Sequence, residues 1–476
     1  MSKRTLLILT LPAAFYLQAQ DISEIKNTTD VYNNNSINGT AKYVGMAGSM
    51  GALGGDISSV NVNPAGLGVN IVSDLSLSLS TYSNKNTSTF GSASASNKVN
   101  KTDLGNASAI IAFDLSNLNS KWKFVNIGLN YNSTFLNNQV GTPGNSNIKI
   151  QKDLIDANNN PLVGNLSYQG HVYSRDGRSD KTNFTIGANY DNRIYLGGGI
   201  KMSSISYSQD DYAFFNLDAN NVTDSYEKQY TPYLEDSRGF SANFGIIGKI
   251  NNQFRLGAAI ETPTWWKVDR VYRDYAIADN GYTDTAEFSE SRNLRTPFNA
   301  TLSAAFVPNK NFALNIDYIQ GLSKPTYTTA SAVNSDLNAF YNENYKNSSQ
   351  VRLGAEYRYE GLRVRAGYAF ANNPFNNIML SSYNNDGSTQ DVNYSHLMLS
   401  KRNTLGVGLG YDFKAFYVDA AYQNVSSEYD NPFLYGSANK GTGYYSNNFD
   451  VNSSAYAVSK VKNQMNNLVF TLGWKF

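Results

Sequence analysis

From Asp74 to Phe476 the chain repeats one pattern: short stretches of alternating apolar and polar residues, separated by gaps that are by turns short and long. Successive side chains of a strand point to opposite faces, so each stretch offers one face to apolar surroundings and the other to polar ones. A soluble sandwich alternates too, but nothing in it calls for a tight turn at every second connection and a very long one at the others. A barrel in the bacterial outer membrane does: its periplasmic turns are short, its outer loops are long, and its strand count is even.

The last stretch shows the pattern most clearly. Leu468, Phe470, Leu472, Trp474 and Phe476 share one face, and Val469, Thr471, Gly473 and Lys475 the other. In the same way Leu405, Val407, Leu409 and Tyr411 stand against three glycines and Asp412, and Val351, Leu353 and Tyr357 against Arg352, Gly354 and Glu356. Charges on one face with an apolar stripe on the other fit a lipid-facing wall around a wet lumen. Strands are expected near 74–83, 106–114, 122–135, 181–190, 193–208, 238–250, 253–265, 295–307, 311–320, 349–359, 362–370, 402–413, 415–425 and 466–476. That makes about fourteen, each as long as the 9–11 residues a tilted membrane strand needs, or somewhat longer. Asp191-Asn192, Asn251-Asn252, Pro308-Asn309-Lys310, Glu360-Gly361 and Lys414 mark short turns. Long polar loops are expected near 84–105, 136–180, 209–237, 266–294, 321–348, 372–401 and 426–465.

Composition narrows the class further. A mean hydropathy of −0.42 argues against a helical membrane protein, and no apolar run of about twenty residues follows the N-terminus. The 34 Tyr and 24 Phe fit aromatic girdles at two interfaces. Zero Cys excludes a disulfide framework and thiolate chemistry, and a net charge of +1 makes no case for nucleic acid. Lys3-Arg4, the apolar run Leu6–Leu17 and Ala19-Gln20 read as a secretory signal over residues 1–20. Residues 21–72 then precede a barrel over 73–476.

Residues 21–72 do not read as strands. Gly45 to Gly68 is dense in small residues, but it lacks the Gly-Lys-Ser/Thr and the preceding strand of a phosphate-binding loop. The better account is steric: a wall of fourteen strands encloses more space than its inward side chains fill, so its bore is a channel or is plugged. A compact element of small residues fits such a bore, with Asn63-Pro64 fixing a turn that ends its helix-like part. The residues Gly51, Gly54, Gly55 and Asp56, followed by Asn63, Pro64, Ala65 and Gly66, resemble the N-terminal hatch of the FadL family. These are outer-membrane transporters of long-chain fatty acids and, in the TodX branch, of aromatic hydrocarbons. The Asn-Pro-Ala motif just before the first strand carries most of the resemblance, and the Ala-Leu-Gly-Gly-Asp variant resembles the Bacteroidetes-type branch. The resemblance implies an all-β fold, a 14-stranded antiparallel transmembrane barrel with a hatch in its lumen, lying in the Gram-negative outer membrane.

It also implies a route: capture between outer loops, a lumen site near the hatch, and sideways exit through a kinked strand. Tyr212, Phe214 and Phe215 in the third outer loop, and Trp265 and Trp266 at the end of the seventh strand, are capture candidates. The competing reading of the two Trp is as interface anchors. In the third strand Gly128 lies on the inward face, where it permits a bulge or simply spares room. A fatty-acid carboxylate needs a cation, and Lys201, Arg255, Arg352, Arg363 and Arg365 face inward. Ion pairing with Glu261 and Glu356 is the competing role. The expected partners are a hydrophobic small-molecule ligand, outer-membrane lipid and, through the terminal Phe476, the barrel-insertion machinery.

Nothing in the sequence calls for an enzyme, a cofactor or a metal. His171 and His396 lack metal-ligand spacing, and Ser174 and Asp176 near His171 form no triad by sequence. Asp156-Ala157-Asn158-Asn159-Asn160 starts like a calcium loop, but Pro161 and Ser167 stand where Gly and Glu belong. The expected function is passive outer-membrane transport of hydrophobic small molecules, long-chain fatty acids or aromatic hydrocarbons. The alternative is a structural or secretion-associated barrel whose loops bind a protein.

Overall fold

The computed structural model describes residues 19–33, 36–155, 158–219, 222–229, 232–277, 283–437 and 451–476. Most of the expected signal segment, and Asp156-Ala157 of the calcium-like stretch, lie outside them.

Fourteen antiparallel strands close into one barrel. They are β1 (Asp74–Phe90), β2 (Ala93–Asp114), β3 (Trp122–Phe135), β4 (Pro161–Tyr190), β5 (Ile194–Ala219) and β6 (Tyr233–Lys249). Then come β7 (Phe254–Glu261, resuming as Trp265–Ile277), β8 (Thr283–Arg295, resuming as Asn299–Phe306), β9 (Phe312–Gly321) and β10 (Ser349–Tyr359). The last four are β11 (Leu362–Ala371), β12 (Arg402–Asp412), β13 (Phe416–Phe433) and β14 (Ala457–Lys475). Each strand pairs with the next, and β1 closes the wall on β14 from Asp74↔Lys475 to Thr89↔Lys460. All fourteen expected positions hold a strand.

The alternation maps onto the two faces. Leu468, Phe470, Leu472 and Trp474 are 39–50% exposed, whereas Val469 and Thr471 are at most 1% exposed. This outer apolar band is the face that meets lipid acyl chains. The short turns use the φ > 0 conformation that tight hairpins need: Asp191 at 54°, Asn192 at 55°, Glu360 at 50° and Lys414 at 76°.

The outer side departs from the expected long loops. The 84–105 region is a continuation of the β1–β2 ladder, which turns only around Gly91. Strand β4 runs 30 residues and β5 26. Beyond the apolar band the outward face meets water rather than lipid, so the apolar–polar rhythm weakens while hydrogen bonding continues. Cross-strand hydroxyl pairs such as Thr87–Ser96 at 2.8 Å replace apolar contacts there. The expected 321–348 loop carries a helix, α2 (Ala332–Asn344), whose first turn is capped by Ser331 Oγ accepting from Asn334 N at 3.1 Å. Residues 378–394 form a separate hairpin.

Two apolar cores fill these extensions. One gathers Phe90, Ile148, Leu166, Tyr168, Phe215 and Phe433. The other joins Trp266, Tyr327, Tyr341 and Phe375 to Ile22 and Ile25 of the N-terminal helix α1 (Ala19–Asn27). The predicted boundary at residue 20 therefore falls inside an element. Helix α1 passes into a π-turn, Thr28–Tyr32.

Candidate functional site in the barrel lumen

Residues 36–70 pack against inward faces of the wall. Asp56 caps the turn Ile57–Asn61 by accepting from Ser58 N at 2.8 Å, and Thr40 Oγ1 donates to both its oxygens at 2.9 Å. Asn63-Pro64 ends that turn and also opens a second one, Pro64–Val69, with Asn63 Oδ1 accepting from Ala65 N at 3.0 Å. Asn63 Nδ2 donates to Gly51 O at 2.8 Å, tying the two halves of the motif together. Gly54 and Gly55 have φ of +59° and +70°, and Gly55 N donates to Gly66 O at 3.2 Å. A side chain at these positions strains the backbone.

The wall is cut to receive this backbone. A methyl group on Gly367 would lie 2.2 Å from Met46 C, and one on Gly197 would lie 2.3 Å from Pro64 C. Met50 N and Gly51 N donate to the fully buried Asp317 at 3.0 and 3.1 Å, and Ala52 N donates to Asn315 Oδ1 at 3.1 Å. Sequence reasoning passed over Asn315 and Asp317. Their inward parity on the predicted strand 311–320 was the available signal.

Above this segment lies a cavity of about 140 Å³. Val31 and Ile37 of the N-terminal segment and Leu136, Met398 and Met465 of the wall give it an apolar side. Lys26, Lys181, Arg402 and Asn137 give it a polar one. Asp30 is paired with Arg175 at 2.6 Å. Asn137 is 2% exposed and its Nδ2 lacks a hydrogen-bond partner. Lys181 makes no ion pair among the described residues and also borders a smaller cavity of about 70 Å³ below. It sits on the inward parity of β4 with Asn183 and Thr185, which was legible, but its lack of a carboxylate partner was not.

The predicted cations fall elsewhere. Lys201 lines the smaller cavity and donates to Glu261 Oε1 at 2.7 Å. Arg255 lies on the far side of the segment, donating to Leu53 O at 3.1 Å in a periplasmic cavity of about 360 Å³. The two are therefore not brought together. Arg352 binds Tyr43 Oη and Gly48 O, Arg363 lies 3.6 Å from Asp412, and Arg365 binds Glu356 and Asp419.

The aromatic candidates separate as well. Phe215 is 1% exposed inside an extension core, while Phe214 is half-buried on the opposite face of β5, so the pair forms no open capture patch. Trp266 is buried with its edge against Tyr32, ring centres 5.1 Å apart. Trp265 faces outward and stacks on Phe240 at 6.3 Å. Adjacent residues of a strand point to opposite faces, which is why neither doublet acts as a unit.

Of the two readings of Gly128, the structure fits spare room on the inner face. Gly128 pairs in unbroken register with Ile110 and with Thr185, so β3 carries no bulge there. Its missing side chain makes room for the N-terminal segment: a methyl would lie 2.8 Å from Ile57 Cδ1 and 3.0 Å from Leu67 Cδ1. One irregularity of the wall lies a strand away. The β2–β3 ladder ends at Asn106↔Asn132, and the β1–β2 register shifts between Ser78 and Leu79, leaving Gly105 as the extra residue. Asn38 of the N-terminal segment donates to Ser133 O and, at 3.5 Å, to Gly105 O, across the parting. Thr134, Phe135 and Leu136, just beyond it, line the 140 Å³ cavity.

A closed barrel with an outer apolar band and a small-residue segment seated in its bore defines a class of lumen-filled membrane barrels. Solved structures with this fold include a Pseudomonas aeruginosa FadL homologue (12% identity, 92% of this chain and 98% of that one, TM-score 0.53). The Ralstonia pickettii toluene transporter TbuX is similar at 14% identity, covering 93% and 99% of the two chains with a TM-score of 0.51. The monoaromatic hydrocarbon channel CymD is similar at 12% identity, 93% and 98% coverage and a TM-score of 0.53. No protein-family model and no curated protein matches the sequence.

Proposed function

We propose that this chain is a Gram-negative outer-membrane transporter that passes hydrophobic small molecules by passive diffusion, with residues 36–70 as its hatch. The ligand's polar head enters the 140 Å³ chamber, a volume that holds only part of a long acyl chain, and the ligand leaves sideways where β2 and β3 part. The proteins of similar fold that are named as toluene transporters or hydrocarbon channels support the reading of hydrophobic cargo. One observation carries the rest: the chamber has an apolar side and a cationic side, and it abuts both the hatch and the parting in the wall. Lys181, in no ion pair among the described residues, and Asn137 with an unused donor favour an anionic amphiphile such as a long-chain fatty acid over a neutral aromatic hydrocarbon. The test is binding of labelled oleate and labelled toluene to the purified protein, with uptake by a deletion strain carrying the gene. Saturable oleate binding and restored uptake are expected. Oleate binding no stronger than that of an uncharged alkane of equal length overturns the anionic assignment, and failure to restore uptake overturns the transport reading.

A further inference from the structure

We infer that the outer wall of β6, β7 and β8 binds a phosphate-bearing lipid of the outer leaflet. The lipid-facing row of β6 runs through Ile246, Phe244 and Phe240, which are 43–56% exposed, and its next outward residue is Arg238. On β7 the row runs through Leu256, Ile260 and Trp265, 43–54% exposed, and then Lys267. Phe240 and Trp265 stack with an interplanar angle of 20°. Lys267 is the direct cross-strand partner of Arg238, and Arg295 of β8 is the partner of Trp265. Three exposed cations on three adjacent strands thus crown one aromatic pair.

Their height fits a headgroup. Two residues along a strand tilted by roughly 40° rise about 5 Å, so Arg238 and Lys267 stand about that far above the stacked rings. Like charges placed directly opposite each other are destabilising, which an intervening anion reverses. Arg238 and Arg295 have no carboxylate within ion-pair distance among the described residues, and Lys267 reaches only Asp269, 3.4 Å away on the side farther from the membrane. Arginine forks match phosphate geometry, and the rings beneath suit the acyl chains that a phosphorylated lipid brings with it. The apolar band continues without a break into the cationic cluster, so the occupant is amphiphilic and lies in the leaflet. Lys85 and Lys98 are also paired opposite each other, but they stand six residues beyond Leu79, above the headgroup plane.

The experiment is native mass spectrometry of the full chain in detergent with diphosphoryl lipid A and with the same lipid after phosphatase treatment. Retention of the phosphorylated form alone is expected, falling at least tenfold in an R238Q/K267Q/R295Q variant and unchanged in K85Q/K98Q. Equal retention of the two lipids overturns the inference, as does an unaltered triple variant. Displacement of the lipid by millimolar inorganic phosphate overturns the lipid assignment in favour of a free-anion site. If the triple variant fails to insert, judged by loss of heat-dependent migration on a denaturing gel, the comparison of the two lipids on the unaltered chain still decides.

Discussion

At the level of single residues, parity on a strand was readable and partnership was not. The alternation of β5 put Lys201 in the lumen, but Glu261, which neutralises it, is 60 residues away in sequence. Alternation on β4 likewise turns Lys181 inward, and only the folded wall leaves it in no ion pair among the described residues. Lys181→Gln is therefore expected to weaken oleate binding at least tenfold, since a hydrogen bond to a charged group contributes about 1.5–3 kcal/mol. Toluene binding is expected to stay within about twofold, and both are measured by displacement of a bound fluorescent ligand. The Gly-rich and Asn-Pro motif was legible as a motif because its glycines and Asn-Pro have conformational reasons that are local. Its docking partner Asp317 was not, because nothing in sequence links positions 50 and 317. Asp317→Asn removes the charge behind the bonds from Met50 N and Gly51 N. Faster hydrogen exchange of residues 49–52, with the barrel strands unchanged, is the expected result.

Elements were legible wherever one face meets lipid. All fourteen strands show the rhythm inside the apolar band, but the ladder extensions and α2 escaped because their apolar faces are short and set in stretches that are otherwise polar. Helix α1 escaped for another reason: its burial depends on charges that come from distant strands. Glu24 accepts from Arg270 Nη1 at 2.5 Å and from Tyr327 Oη at 2.6 Å, with Arg292 3.5 Å away. Burial alone would raise the Glu24 carboxyl, but Arg270 and Arg292 with these bonds bring it down to about 2. For Lys26, burial dominates and lowers the amine to about 8, against the opposing pull of Asp30. Both signs follow from linkage. Glu24 holds α1 in place fully above its ordinary value of 4.5, and this hold is lost as pH falls toward 2. Lys26 is tolerated better once neutral, so docking strengthens as pH rises from about 8 to its ordinary 10.5. Limited proteolysis at residues 19–33 is expected to accelerate between pH 4.5 and 2.5. In Glu24→Gln it is expected to be fast already at pH 7, because breaking a buried pair from one side costs about 3–5 kcal/mol.

For the whole molecule, two obstructions stand in series: the outer extensions sealed around α1, and the segment 36–70 seated in the membrane-level bore. They are separable because the wall closes through β1–β14 hydrogen bonds that neither obstruction supplies. The strand count and the filled bore were readable from the sequence, since both follow from local patterning and from the volume such a wall encloses. The outer seal was not, because it is assembled from residues as distant as Ile25 and Tyr341. Deleting residues 21–33 is expected to leave planar-bilayer conductance near its original level, because the wall glycines and Asp317 still grip residues 46–66. Deleting 21–70 is expected to raise single-channel conductance several-fold while the barrel keeps its heat-dependent migration on a gel. The reason is geometric: at inward positions such as Gly197, Gly367 and Gly406 the wall carries no side chain that could fill the space the segment vacates. A barrel that stays closed after the longer deletion means that the extensions alone seal it, and the hatch reading of residues 36–70 falls.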